Sequence, residues 1–446
     1  MAASLPGRRK NIRPAPWRSQ WHQARRKLLF AAEGVVEPQR RGLLFFWLDG
    51  LFAAASDSFI GPYLALYLLA LGANGQQVGM LSAVVGLAGA LMFLPGARLA
   101  DRLPNYRTVV VATSLAARAM LALLAVLPWI ADGQAAILAV LLLAALREGM
   151  SQLGNPAWTA FAAQIVPQSL RGRFFAARTL IWNLATLLCV PLAGRLIKGM
   201  GSPQGYQAAF GVALVTGLGA SAIYAQIPLA ARTPQADKGG PTLRQALRTL
   251  GQHRTFVHFA LITMVLNLGV QFVAPFFNVY LVRQLGADAG FVGLQTTLSA
   301  LAGMVAVRLF GPLVDRRGLR WTMLRCGPFV ALIPFGWLFV RQPWQTLPIS
   351  AMGSFAWGGF NLATFNLLLA ATPDEGRPLY SALFNTASAV SLMIGPLIGG
   401  YMFDQWGFQH CLVASCLGRG GAVALIFLLL RGQALLGRQA GRAVAA

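Results

Sequence analysis

Six ionisable side chains sit inside long apolar runs of the first half of the chain: Asp49, Asp57, Arg118, Arg147, Glu148 and Arg178. A charge in such a run is costly, so each is a candidate for function. A carboxylate there can take up and release a proton, because desolvation raises its proton affinity and a nearby arginine lowers it. An arginine can hold an anionic ligand. Asp57 is the strongest candidate for the proton-binding group, with Arg147 as the cation that sets its protonation. Three acids face three bases, so complete pairing into ion pairs that only hold helices together is an equally open reading.

The second half offers amides in place of charges: Asn267, Gln271, Asn278, Asn361, Asn366 and Asn385, with Trp357 among them. They can hydrogen-bond a substrate or one another across helices. Gln271 stands 214 residues after Asp57 and cannot titrate, so any proton coupling is expected in the first half. Cys189, Cys326, Cys411 and Cys416, and the four histidines, lack metal-ligand spacing. No phosphate-binding G-x-x-x-x-G-K-S/T loop, H-E-x-x-H or nucleophile elbow occurs, so no cofactor, ATP hydrolysis or enzymatic activity is expected.

The elements that must carry these residues are long helices. Apolar residues make up 56% of the chain and charged ones 11%, against about 25% charged in soluble domains. Runs of about 20 apolar residues, the length a helix needs to cross hydrocarbon, recur about twelve times. The expected spans are 43–70, 78–97, 108–128, 135–163, 174–198 and 207–227, then 256–283, 291–312, 322–341, 347–371, 378–403 and 409–431. Arg147 lies about twelve residues, or about 18 Å, along the fourth span, near the membrane centre. The expected organisation is a basic extension over 1–42, a six-helix bundle over 43–227, a linker over 228–255, a second bundle over 256–431 and a tail over 432–446. The extension reads either as a disordered tail or as a basic amphipathic helix on anionic lipid.

The net charge of +24 does not point to nucleic acid, because the charges lie between apolar runs rather than on one basic face. It points to orientation. Placing the amino terminus in the cytoplasm puts 30 of the 37 Lys and Arg on that side, including those of the extension, the linker and the tail. Both termini are therefore expected in the cytoplasm. Four lysines against a large excess of arginine, with abundant Ala, Gly and Leu, read as a bacterial source and hence an inner membrane.

The two halves repeat. Residues 71–102 slide onto 285–316 without a gap and match at 11 of 32 positions, among them Leu71-Gly72-Ala73 with Leu285-Gly286-Ala287 and Val78-Gly79 with Val292-Gly293. Further on, Asn155 answers Asn361, and Pro191 with Gly194 answers Pro396 with Gly399. An even number of spans in each half makes the repeats parallel in the membrane.

A loop signature, G-x-L-x-D-R-x-G-R-R/K, then carries a resemblance to the major facilitator superfamily over about residues 43–431. It reads Gly311-Pro312-Leu313-Val314-Asp315-Arg316-Arg317-Gly318-Leu319-Arg320 in the second half, and the first half retains Asp101-Arg102 with Ala97 and Pro104 in place of the glycines. The resemblance implies an all-α membrane fold of about twelve helices in two pseudo-symmetric bundles, with spans 1, 4, 7 and 10 around a central cavity. It implies gating by Asp101, Arg102, Asp315, Arg316, Gly311 and Gly318, and transport of a small solute by alternating access in a monomer whose other partners are protons and lipid. Gly395-Pro396-Leu397-Ile398-Gly399-Gly400 is similar to an antiporter motif, although on span 11 rather than span 5, so proton-coupled efflux is the expected variant. Uptake of a sugar or polar metabolite is the alternative. A non-transporting receptor or assembly partner is the alternative of another class.

Overall fold

The computed structural model describes residues 37–103, 105–167, 170–228, 254–371 and 377–432. Most of the expected extension, linker and tail lie outside the described residues. Span 1 runs over Glu37–Ile60, a 3-10 turn at Gly61–Tyr63 and Leu64–Ala70. Spans 2 to 6 are Gly75–Arg102, Tyr106–Val126, Gly133–Ile165, Arg171–Met200 and Gln204–Ala225. Span 7 is Arg254–Gln271 and Phe276–Arg283, and spans 8 and 9 share the helical run Ala289–Trp337. Spans 10 to 12 are Thr346–Ala371, Arg377–Trp406 and Phe408–Gly432. Among the described residues, nine stretches are long and apolar enough to cross a bilayer.

Two local features differ from the reading of the sequence. Spans 1 and 7, expected as continuous helices, each break near one proline, Pro62 and Pro275, because proline supplies no N–H and its ring crowds the preceding turn. The loop expected between spans 8 and 9 is reduced to one non-helical residue, Gly318, at φ 81°. That left-handed conformation favours glycine, which accounts for the second glycine of the loop signature. Gly311 has nothing within 4 Å of where a Cβ would stand, so no close approach depends on it in this conformation.

The repeated residues have physical causes. Gly72 and Gly286 both take positive φ, at 90° and 70°, to turn the chain between spans. The residue that follows each repeated Ala caps the next helix: Asn74 Oδ1 accepts from Gln77 N at 2.8 Å and Asp288 Oδ1 from Phe291 N at 2.8 Å. The repeated glycines and prolines form two crossings between the halves. On one, Gly79 of span 2 lies against the Pro396 carbonyl of span 11. On the other, Gly293 of span 8 lies 3.3 Å from the Pro191 Cα of span 5 when given a Cβ.

Both crossings are at the membrane face away from the termini. There, Asp404 accepts from Gly75 N at 3.0 Å and from Gln76 N at 2.7 Å, Lys198 pairs with Asp288 at 2.7 Å, and Arg283 donates to the Ala73 carbonyl. One apolar cluster at that face draws on both halves, through Tyr63, Val78 and Val190 with Phe276, Val292 and Phe408. Toward the termini the core divides. Leu43, Phe46, Phe161 and Phe174 pack within the first half, and Phe256, Phe259, Phe310 and Met323 within the second. The halves thus meet at the far face and separate toward the termini.

Candidate functional site

A cavity of about 530 Å³ lies inside the first half, among spans 1, 3, 4, 5 and 6. Its size suits a small organic molecule. Five charged residues line it: Asp49, Asp57, Arg118, Arg147 and Arg178. It opens past Ser151, Asn155, Thr179 and Trp182, which are all exposed. Arg118 and Arg147 stand twelve and fourteen residues into spans 3 and 4, or about 18 and 21 Å along them, so the charges sit in the middle of the membrane.

Two ion pairs differ in setting. Arg178 Nη2 donates to Asp49 Oδ2 at 2.9 Å, with both side chains only 10 to 11% exposed. The guanidinium also donates to the Phe46 carbonyl and lies 4.5 Å over the Phe46 ring and 5.4 Å from that of Trp158. Gly50 makes room for it, since a Cβ there would come within 2.9 Å of the Arg178 Cζ. This pair lies at the edge of the cavity but is nearly buried, with little of either side chain open to it. In the second pair Arg147 Nη2 donates to Asp57 Oδ1 at 2.8 Å through a single bond, with Asp57 45% exposed and Arg147 17%. Arg147 Nε has no partner among the described residues.

Arg118 has no carboxylate partner among the described residues. Its Nη1 donates to Ser56 Oγ at 3.2 Å, while that hydroxyl donates to the Ala213 carbonyl at 2.6 Å. Gly217 lies beneath the guanidinium, where a Cβ would come within 2.7 Å of Cδ and Cζ. Glu148 does not line the cavity. It follows Arg147 by one residue, so its side chain points about 100° round the helix. It lies beside Gly89 of span 2 and accepts from Gln152 Nε2 at 2.8 Å.

The second-half candidates are not brought to this cavity. Asn267 Nδ2 donates to Ser388 Oγ at 3.3 Å, Gln271 packs its Cβ on Gly395 of span 11, and Trp357 meets Phe360 edge to face at 5.8 Å. Asn278 is half-buried and Asn361 is exposed. The side chains of Asn366, Asp101 and Asp315 lie outside the described part, while Arg102 and Arg316 are exposed. Gly395 and Gly399 pack on span 7 and Pro396 and Gly400 on span 2, so the antiporter-like motif is the surface by which span 11 bridges the halves. Among the described residues of the second half the one buried arginine is Arg419, 2% exposed, whose Nη groups reach the carbonyls of Val330 at 3.4 Å and Val270 at 3.5 Å. Pro334 has no N–H to offer the Val330 carbonyl four residues before it, and Arg419 supplies one.

Reading the sequence for charges missed the neutral part of the site: Ser56, Gly217, Ser114, Ser151, Trp158 and Trp182. A usable signal was present. Ser114, Ser151 and Trp182 each stand four residues from Arg118, Arg147 or Arg178, on the same helix face. Gly217 and Ser56 carried no such signal, since only the packing of spans 1, 3 and 6 brings them to Arg118.

The sequence profile described as Major Facilitator Superfamily matches residues 46–276 and 259–443. A multidrug resistance protein, MdtG, of Serratia proteamaculans is 26% identical over 400 residues, which are 85% of this chain and 91% of that protein. A multi-drug resistance efflux pump PmrA homolog of Lactococcus lactis is 22% identical, over 85% of this chain and 92% of its own length. A D-galactonate transporter of Escherichia coli is 27% identical over 186 residues, only 43% of its length. Among solved structures, the nucleoside transporter NupG superposes with a TM-score of 0.70 at 13% identity, covering 89% of this chain and 99% of that one. A bacterial homologue of the iron transporter ferroportin, in an inward-facing state, gives 0.70 at 16%, covering 87% and 98%. With both halves of the chain matched and the two-bundle fold shared, the chain belongs to the major facilitator superfamily.

Proposed function

We propose that this chain is a secondary transporter that exports a small amphiphilic solute in exchange for protons, with Asp57 as the group on which proton and solute compete. The observation that carries this reading is the Asp57–Arg147 pair. It is an ion pair at the membrane centre whose carboxylate is half-exposed in a ligand-sized cavity, with its second oxygen, Oδ2, free of partners among the described residues. A carboxylate so placed can accept a proton or the cationic group of a solute, but not both. Rocking of the halves about the far-face crossings would then present the cavity to either side in turn. With the termini in the cytoplasm, as the positive residues favour, the present conformation is open inward. The full-length similarity to two multidrug proteins supports export. Asp101 and Asp315, on the face where the halves now separate, would gate the opposite conformation. Replacing either with Asn should slow turnover and leave affinity within a few-fold.

The test is reconstitution in proteoliposomes with three fluorescent probes, cationic ethidium, zwitterionic rhodamine B and anionic anilinonaphthalene sulfonate, under an imposed pH gradient. Uphill movement of at least one probe, lost in Asp57→Asn while downhill exchange persists, is the expected result. Proton-driven accumulation by a well-folded Asp57→Asn protein would overturn the coupling role. A second reading, uptake of an organic acid, has one observation in its favour: the three guanidinium groups in the cavity exceed the two carboxylates. The sign of the linkage separates the readings. Acidification weakens binding of a solute that competes for Asp57, and strengthens binding of a purely anionic one.

A further inference from the structure

Charge in the cavity does not cancel. Asp49 takes Arg178 and Asp57 takes Arg147, which leaves one guanidinium, that of Arg118, without a counter-charge among the described residues. An arginine without a counter-charge at the middle of a membrane is costly to keep. It is retained here and also built in. Ser56 anchors Nη1 from one side, its own hydroxyl proton committed to the Ala213 carbonyl, and Gly217 clears the space the guanidinium occupies. The Nε–H is buried over Gly217 and closed to a ligand, while Nη2 donates to none of the described residues and is the donor left for one. A fixed guanidinium with unused donors is suited to a carboxylate, which it can meet through two parallel N–H bonds. The cavity that holds it also presents Trp158, Trp182 and Phe175. On the far side of the charge balance stands Asp57, with one carboxylate oxygen unused.

We infer that Arg118 is the anion subsite of this cavity and that the ligand class is an aromatic zwitterion, its carboxylate on Arg118, its ring against the tryptophans and its cationic group on Asp57. This rests on the transport reading for its purpose, but the site can be tested by binding alone. Arg118 faces the hydroxyl of Ser56 on span 1 and Gly217 on span 6, and lies within electrostatic reach of Asp57, Arg147 and Asp49. Of these, only the aspartates compete with a ligand for it, and both already hold another arginine.

The experiment measures binding to the purified full-length chain in detergent by calorimetry, with four naphthyl probes of one size: zwitterionic naphthylalanine, anionic naphthoate, neutral naphthamide and cationic naphthylmethylamine. Naphthylalanine should bind tightest, and naphthoate at least tenfold tighter than naphthamide. Arg118→Gln should weaken naphthylalanine and naphthoate at least tenfold and leave naphthylmethylamine within threefold. Asp57→Asn should weaken naphthylalanine and naphthylmethylamine at least tenfold and leave naphthoate within threefold. Ser114→Glu keeps the arginine and places a carboxylate one helical turn before it, in the favourable i, i+4 order. It should abolish naphthoate binding without loss of melting temperature, which keeps the inference testable should Arg118→Gln fold poorly. Naphthamide binding as well as naphthoate, or naphthoate binding unchanged in Ser114→Glu, would overturn the subsite. Displacement of naphthoate by equimolar chloride would also overturn it, showing an inorganic anion site. Rhodamine B transport on the same preparation keeps the two readings apart. Transport without Arg118-dependent binding overturns the subsite alone, and Arg118-dependent binding without transport sustains the subsite while the exchange mechanism fails.

Discussion

The two ion pairs at the cavity have the same composition and nearly the same length, 2.9 Å for Asp49–Arg178 and 2.8 Å for Asp57–Arg147, yet their surroundings give them opposite physics. Asp49–Arg178 is closed in by Phe46, Trp158 and Gly50, and its guanidinium has additional bonds to make. Removing one partner would strand a charge in an apolar core. Asp57–Arg147 is joined by one bond, faces a cavity, and has unused atoms on both partners. Exchanging its partner costs little because water or ligand can replace it. The first pair holds spans 1 and 5 together, and the second is the one that the proposed exchange mechanism requires to change state. Distance alone does not distinguish a structural ion pair from a working one; enclosure does.

The largest expected effect breaks the enclosed pair. Asp49→Ala should lower stability by about 3 to 5 kcal/mol, the cost of leaving a buried charge unpaired. It should be read as lost expression and a lower melting temperature in detergent. The double change Asp49→Asn with Arg178→Gln should recover much of that loss, and failure to recover would mean that the pair does more than balance charge. Asp57→Asn sharpens the contrast from the other side. It should cost about 1 kcal/mol or less, as for a pair open to water, while abolishing pH-driven accumulation. A stability loss as large as that of Asp49→Ala would place both pairs in the structural class.

A third change moves from the pairs to the crossings on which the halves would rock. Gly79→Ala drives a methyl into the Pro396 carbonyl, and Gly293→Ala one against Pro191 and the Tyr63 hydroxyl. Overpacking of this kind costs about 1 to 3 kcal/mol. It falls only on the conformation that closes the far face. Distance distributions between spin labels on spans 2 and 11 should therefore shift toward far-face opening in either variant, and unchanged distances would remove the crossings from the mechanism.

The smallest effect belongs to Lys198–Asp288, an exposed pair at the far face. The Lys198 ammonium, and then the Phe291 N–H, hold the Asp288 carboxyl below its ordinary range. A lowered carboxyl pKa in the closed conformation favours that conformation above the ordinary carboxylate range, and the contribution is lost as pH falls through the lowered value. With Lys198 63% and Asp288 43% exposed, the pair should contribute under about 1 kcal/mol. Asp288→Asn should thus move the same spin-label distances slightly at neutral pH and not at all once acid has protonated the wild-type carboxyl.

Much of this fold was legible in the residues themselves, because a bilayer leaves few ways to satisfy a backbone. Long apolar runs must be helices, Leu-Gly-Ala followed by Asn or Asp must turn and cap, and a repeat of such units must build two like halves. The charges that could work were legible too, since hydrocarbon makes every one of them conspicuous. Which arginine meets which aspartate was not. Arg178 and Arg147 are equally plausible partners for Asp49 or Asp57 from their positions along the chain, and Glu148 is as conspicuous as either acid until the helix turns it toward Gly89. Pairing, enclosure and the isolation of Arg118 depend on the rotation of five packed helices about their own axes. That rotation is set by glycines such as Gly50 and Gly217, whose importance lies in the side chain they lack and the neighbour they admit. Residue order suffices for the elements and the inventory of charges. Which charges are spent on one another, and which one lacks a counter-charge among the described residues, follows from packing, because the energy of a charge in a membrane depends on what lies within a few ångströms of it.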